Sequence, residues 1–142
     1  MLCFASMSPF LKLALAASCL SSYFAHDNSI SITMKIDFKK VEKQVLPKFK
    51  GGEKQLVAKM FADERNRIMK ARLVPGASIG MHTHDTSSEI IYVLSGQGRA
   101  VCNGSEERLQ TGDCHYCPKG FTHTLINDGD DDLVFFAVVP QQ

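Results

Sequence analysis

The sequence predicts an all-β domain, either a sandwich or a barrel. Three observations carry this. From Gln55 to Val139, short runs of β-branched, aromatic and aliphatic residues recur at roughly eight- to twelve-residue spacing, the rhythm of strands joined by tight turns. The breaks between them, Pro75-Gly76, Asn103-Gly104, Thr111-Gly112-Asp113 and Pro118-Lys119-Gly120, are turn-forming combinations. No apolar repeat with a helical period is sustained there. Only Phe38, Val41 and Val45, near the start, are spaced for one short helix.

Taken in order, Leu56 to Ala62 is the first expected strand. Asp63 to Asn66 turns the chain back into Arg67 to Val74, where Ile68, Met69, Ala71 and Leu73 supply apolar contacts. Met81 to His84 is a short strand and Asp85 to Ser88 a loop. Glu89 to Leu94 carries Ile91 and Val93 on the side of Glu89, with Ile90, Tyr92 and Leu94 on the other. Both faces of that strand are therefore expected to be buried. Arg99 to Cys102 and Glu106 to Leu109 flank Asn103-Gly104, which suits a two-residue type I′ hairpin. The last strand, Leu133 to Val139, is apolar on both faces and predicts cover on both, one of which a second subunit can supply.

Apolar residues at 44% and charged residues at 22% suit a soluble globular chain, and 142 residues are enough to bury a core. The net charge of +1 gives no electrostatic reason to expect a nucleic acid or a membrane as partner. The lysines between Lys35 and Lys54 are interleaved with Asp37, Glu42 and Glu53 and read as a solvated face. Five cysteines is an odd number, which points to reduced thiols and a cytoplasmic location. Cys114 and Cys117 have C-x-x-C spacing, but a redox pair of that kind opens a helix. On a strand, residues three apart face opposite ways.

Residues 1–33 stand apart. The apolar run from Leu11 to Ala17 is too short to span a bilayer, and Lys12 as the sole positive charge makes a poor secretory signal. Met34 opens a stretch that looks like the natural start of a soluble protein. Residues 1–33 are thus read as a leader or an unused upstream start, and residues 34–142 as one β-barrel domain. The alternative is export, with residues 1–25 acting as a signal.

One stretch of the chain is out of proportion to a simple scaffold. His82 and His84 are two apart and share a strand face, and Glu89 follows a four-residue loop beside Ile91 and Val93. An ionised glutamate among such neighbours is costly unless it is paired or bound to a cation. His123 lies beyond the Pro118-Lys119-Gly120 turn, where a following strand can bring it alongside. Three imidazoles and a carboxylate form a mixed N/O set suited to Mn, Fe, Ni or Zn. Arg67 to Arg72, Tyr92, Arg99, His115 and Tyr116 are the candidates for a separate acid–base group.

Two spacings resemble a known family. Gly76-x5-His82-x-His84-x4-Glu89-x6-Gly96 is similar to the first motif of the cupin superfamily, and Gly112-x5-Pro118-x-Gly120-x2-His123-x3-Asn127 to the second. Fifteen residues separate them, as in small single-domain microbial cupins. The resemblance implies a jelly-roll β-barrel with one divalent metal ion held by His82, His84, Glu89 and His123, the glycines and Pro118 making turns and Asn127 structural. It implies a small-molecule ligand or substrate and a homodimer. The expected function is a metalloenzyme for a sugar derivative or an organic acid. The alternative is a binding protein that captures a carboxylate or sugar without turnover.

Overall fold

The computed structural model describes residues 34–142, and the expectations for residues 1–33 lie outside them. Ten strands follow in order. They are β1 (Lys43–Pro47), β2 (Gln55–Ala62), β3 (Asn66–Leu73), β4 (Ser78–Thr83), β5 (Glu89–Ser95), β6 (Gln97–Cys102), β7 (Ser105–Gln110), β8 (Cys114–Cys117), β9 (Thr122–Ile126) and β10 (Leu133–Pro140). A 3-10 turn, Phe49–Gly51, separates β1 from β2. The strands form two antiparallel sheets, one of six in the order β1-β2-β3-β10-β5-β8 and one of four in the order β4-β9-β6-β7. From β3 onward the chain crosses between the sheets at each step except the β6–β7 hairpin, which gives the jelly-roll barrel.

The pleat decides which residues enter the core. Alternate residues of β3 and β10 (Met69, Ala71 and Leu73; Leu133, Phe135 and Ala137) point inward with Ile91 and Val93 of β5. They meet Ala100, Leu109 and Leu125 from the smaller sheet. Each fully buried Leu, Ile or Phe contributes about 1.5–3 kcal/mol. Local chemistry sets the register of the turns. Asn103 and Gly104 both have positive φ (46° and 83°), as a type I′ hairpin demands, and Cys102 pairs with Ser105 across it. Backbone N–H groups of Arg65 and Asn66 donate to Asp63 Oδ1 and close the turn between β2 and β3.

Three expectations are corrected. The segment around Phe38, Val41 and Val45 forms no helix: a single turn closes on Asp37, and Val45 lies in β1, paired with Val57. Pairing along the edge of the large sheet satisfies more backbone groups there than one isolated helical turn. The outer face of β5 is open rather than buried, with Ile90 at 40% and Tyr92 at 44% exposure. The outer face of β10 is half-covered, in part by the chain itself, since Phe38 packs edge-on against Phe136 with centroids 6.2 Å apart. Cys114 is exposed and Cys117 buried, opposite faces of β8 as the strand period requires.

Candidate metal centre

His82 is the penultimate residue of β4, His84 follows that strand, Glu89 opens β5 and His123 lies in β9. Pairing brings them together: His82 is directly opposite His123 in the β4–β9 ladder. His84 lies just beyond β4 but keeps its direction, because its N–H donates to Phe121 O and its carbonyl accepts from Gly120 N. One ligand atom from each of the four residues falls within 4.8 Å of all the others. Glu89 Oε2 is 3.0 Å from His123 Nε2, 3.1 Å from His84 Nε2 and 3.8 Å from His82 Nε2. His84, Glu89 and His123 are buried and His82 is partly exposed.

The hydrogen bonds behind these atoms test whether the set fits a cation. His82 Nδ1 lies 2.9 Å from Gly80 O, which only accepts, so His82 carries its proton on Nδ1 and its Nε2 is a bare lone pair. His123 Nδ1 is 2.9 Å from His115 Nε2. His84 Nδ1 is 2.8 Å from Ser87 Oγ, which can either donate or accept. Lone pairs and a carboxylate therefore converge on one point, and a proton on His84 Nε2 can bridge to only one of them at a time. A divalent cation satisfies all four. Ligand atoms about 2.1 Å from an ion stand about 3.0 Å apart at right angles, close to the separations around Glu89 Oε2. The residues fit a metal ion.

Burial alone would push the Glu89 carboxyl up. The three imidazoles gathered around it, His123, His82 and His84, outweigh this and hold the group well below the usual carboxylate range. Burial also lowers His123, and Glu89 only partly offsets this. Both shifts favour an ionised Glu89 and a neutral His123.

A cavity of about 310 Å³ opens onto His82, His84 and Glu89. Met69, Ile79 and Val139 make its apolar wall, and Lys50, Arg67 and Gln141 bring polar groups to it. Arg67 is there because β3 alternation puts it on the same face as Met69. Lys50 comes from the 3-10 turn, where the reading of a solvated lysine face missed it: nothing in the sequence ties Lys50 to a strand thirty residues away. The ion pairs of the described residues use other cations, Arg72, Arg99 and Arg108.

The remaining acid–base candidates are not in this cavity. Tyr92 and Tyr116 are exposed, Arg99 pairs with Glu106 and Asp128, and Arg72 pairs with Asp132. His115 is buried beside His123, its ring nearly parallel to that of His123 with centroids 5.2 Å apart. Asn127 is structural. Its Nδ2 donates to Leu73 O and Asp131 O, and its Oδ1 accepts from Gly129 N.

Comparison with known proteins agrees with this architecture. The Cupin domain family model matches residues 69–139. An oxalate-binding protein of Thermotoga maritima is 34% identical over 85 residues, covering 59% of this chain and 70% of that protein. A germin-like protein of Morus alba is 36% identical over 75 residues, which is 36% of its length. The crystal structure of a predicted oxalate decarboxylase from Thermotoga maritima superposes with a TM-score of 0.72 at 26% identity, covering 77% of this chain and all of that one. Both motifs, the two-sheet barrel and the matched region lead to one conclusion: the chain belongs to the cupin family.

Proposed function

We propose that this protein is a metal-dependent cupin that acts on a small organic acid, with His82, His84, Glu89 and His123 holding one Mn, Fe, Ni or Zn ion. The observation that carries the reading is the pairing of this donor set with Lys50 and Arg67 around one small cavity. Four protein ligands on an ion that prefers six leave positions for two substrate oxygens. When bound, the metal supplies Lewis-acid polarisation of a carboxylate or carbonyl. The chain's own residues do the rest. Lys50 and Arg67 offset the charge of an anion, the Met69–Ile79–Val139 wall excludes water, and the Glu89 carboxylate neutralises part of the ion's charge. A neutral sugar would leave both cations unmatched, so an anion is the better fit. The oxalate named for the two Thermotoga maritima proteins is such an anion.

One observation favours a second reading, capture of the acid without turnover. Among the described residues, the one carboxylate lining the cavity beside the ligands is the exposed Asp85, and no free imidazole or phenol of those residues lines it. Calorimetry of oxalate against Mn(II)-loaded and metal-free protein tests the shared claim, with binding expected only to the loaded form. Equal binding to both contradicts it. Formate or carbon dioxide release from the same mixture then selects the enzyme, and intact oxalate the binding protein. A homodimer is part of the proposal, supported by the exposed Ile90, Tyr92, Leu94 and Tyr116 on the outer sheet face. A cytoplasmic location is supported by the free thiols of Cys102, Cys114 and Cys117.

A further inference from the structure

We infer that Glu107 and His115 are a positioning pair for His123: through two hydrogen bonds they dictate which of its ring nitrogens is free to face the metal. The inference rests on the metal-site reading and adds two residues that neither sequence motif specifies, His115 standing at an unspecified position of the second. β7 is one edge strand of the small sheet and β8 one edge strand of the large one. Glu107 shares its face of β7 with the buried Leu109, and His115 faces inward from β8 opposite Ile91. The two side chains meet where the sheet edges approach, and Glu107 Oε1 hydrogen-bonds His115 Nδ1.

The proton count then runs one way. A carboxylate only accepts, so the His115 proton is on Nδ1. With one proton on each ring, His115 Nε2 is an acceptor, and its partner 2.9 Å away, His123 Nδ1, must donate. His123 Nε2 is left bare, 3.0 Å from Glu89 Oε2 and 3.1 Å from His84 Nε2. Without Glu107 nothing forces this tautomer. A proton on His123 Nε2 could then bond to Glu89 and occupy the place of the metal. The two ring planes lie within 14° of each other, so the N–H lies close to the plane of both rings and in line with its acceptor.

The test compares Glu107→Ala with Glu106→Ala, which removes the same charge from the neighbouring position, where Glu106 pairs with Arg99. Both side chains are about half exposed, so folding does not depend on either. In metal-free protein, ¹⁵N shifts of the histidine rings should show His123 protonated on Nδ1 in the wild type and in Glu106→Ala. A population protonated on Nε2 should appear in Glu107→Ala. Dissociation constants for Mn(II) and Zn(II) should rise roughly ten- to hundred-fold in Glu107→Ala alone, the usual effect of losing an outer partner of a metal ligand. An unchanged His123 tautomer in Glu107→Ala overturns the inference, as does equal weakening by Glu106→Ala. Because the tautomer is read without metal, it decides the positioning role even if the wild type binds neither ion, in which case the metal-site reading falls separately.

Discussion

Glu89 and His123 concentrate the cost of the site. A carboxylate packed beside Ile91 is unfavourable unless polar neighbours or a cation compensate it, and the imidazoles of His123, His82 and His84 surround it. The consequence for pH has a definite sign. His123 is lowered in the folded protein, so below its ordinary value near 6.5 the unfolded chain takes up a proton that the folded chain refuses. Glu89 is also lowered, so its contribution is present above its ordinary value of 4.5 and is lost as the pH falls toward the folded value. Urea denaturation of the metal-free protein should therefore show stability falling from pH 7 to pH 5 and falling again below pH 4.5. A flat profile across that range would contradict these assignments.

At the scale of elements, β4 and the 3-10 turn are packed backbone to backbone. A Cβ on Gly80 would come 2.1 Å from Lys50 O, and one on Gly52 would come 2.2 Å from Ser78 O. This contact carries Lys50, held at φ 56°, to the cavity and leaves Gly80 O free to accept from His82. Gly80→Ala should cost about 1–3 kcal/mol in the metal-free protein, the range for overpacking. It should also weaken acid binding more than metal binding, because Lys50 moves farther than His82. An unchanged denaturation midpoint would show that the turn is free to shift. The strand order was partly readable beforehand. Asn103-Gly104 located a hairpin, and i, i+2 spacing aligned His82 with His84, because turn chemistry and strand period are local properties. Lys50 and the Glu107–His115 bond were not readable. Both depend on how distant sheet edges meet, and an isolated Glu or Lys carries no sign of its partner.

For the whole molecule, the two sheets account for one apolar face of β10 and Phe38 for part of the other, while the outer face of β5 remains uncovered. Light scattering should give twice the chain mass, and Tyr92→Asp with Tyr116→Asp should return it to the single-chain value. A single-chain mass for the wild type at every concentration would remove the dimer. Within one chain the burial expected from the sequence is not met here, because an apolar residue on a strand does not say whether its neighbour is a sheet, a second subunit or water. The metal remains the claim on which the others depend. Metal content by inductively coupled plasma mass spectrometry, on protein begun at Met34 and purified without chelator, tests it most directly. The account predicts about one equivalent of Mn, Fe, Ni or Zn in the wild type and none in His82→Ala/His123→Ala. A wild type that stays metal-free after reconstitution with each ion, or a variant that binds as much, would contradict it.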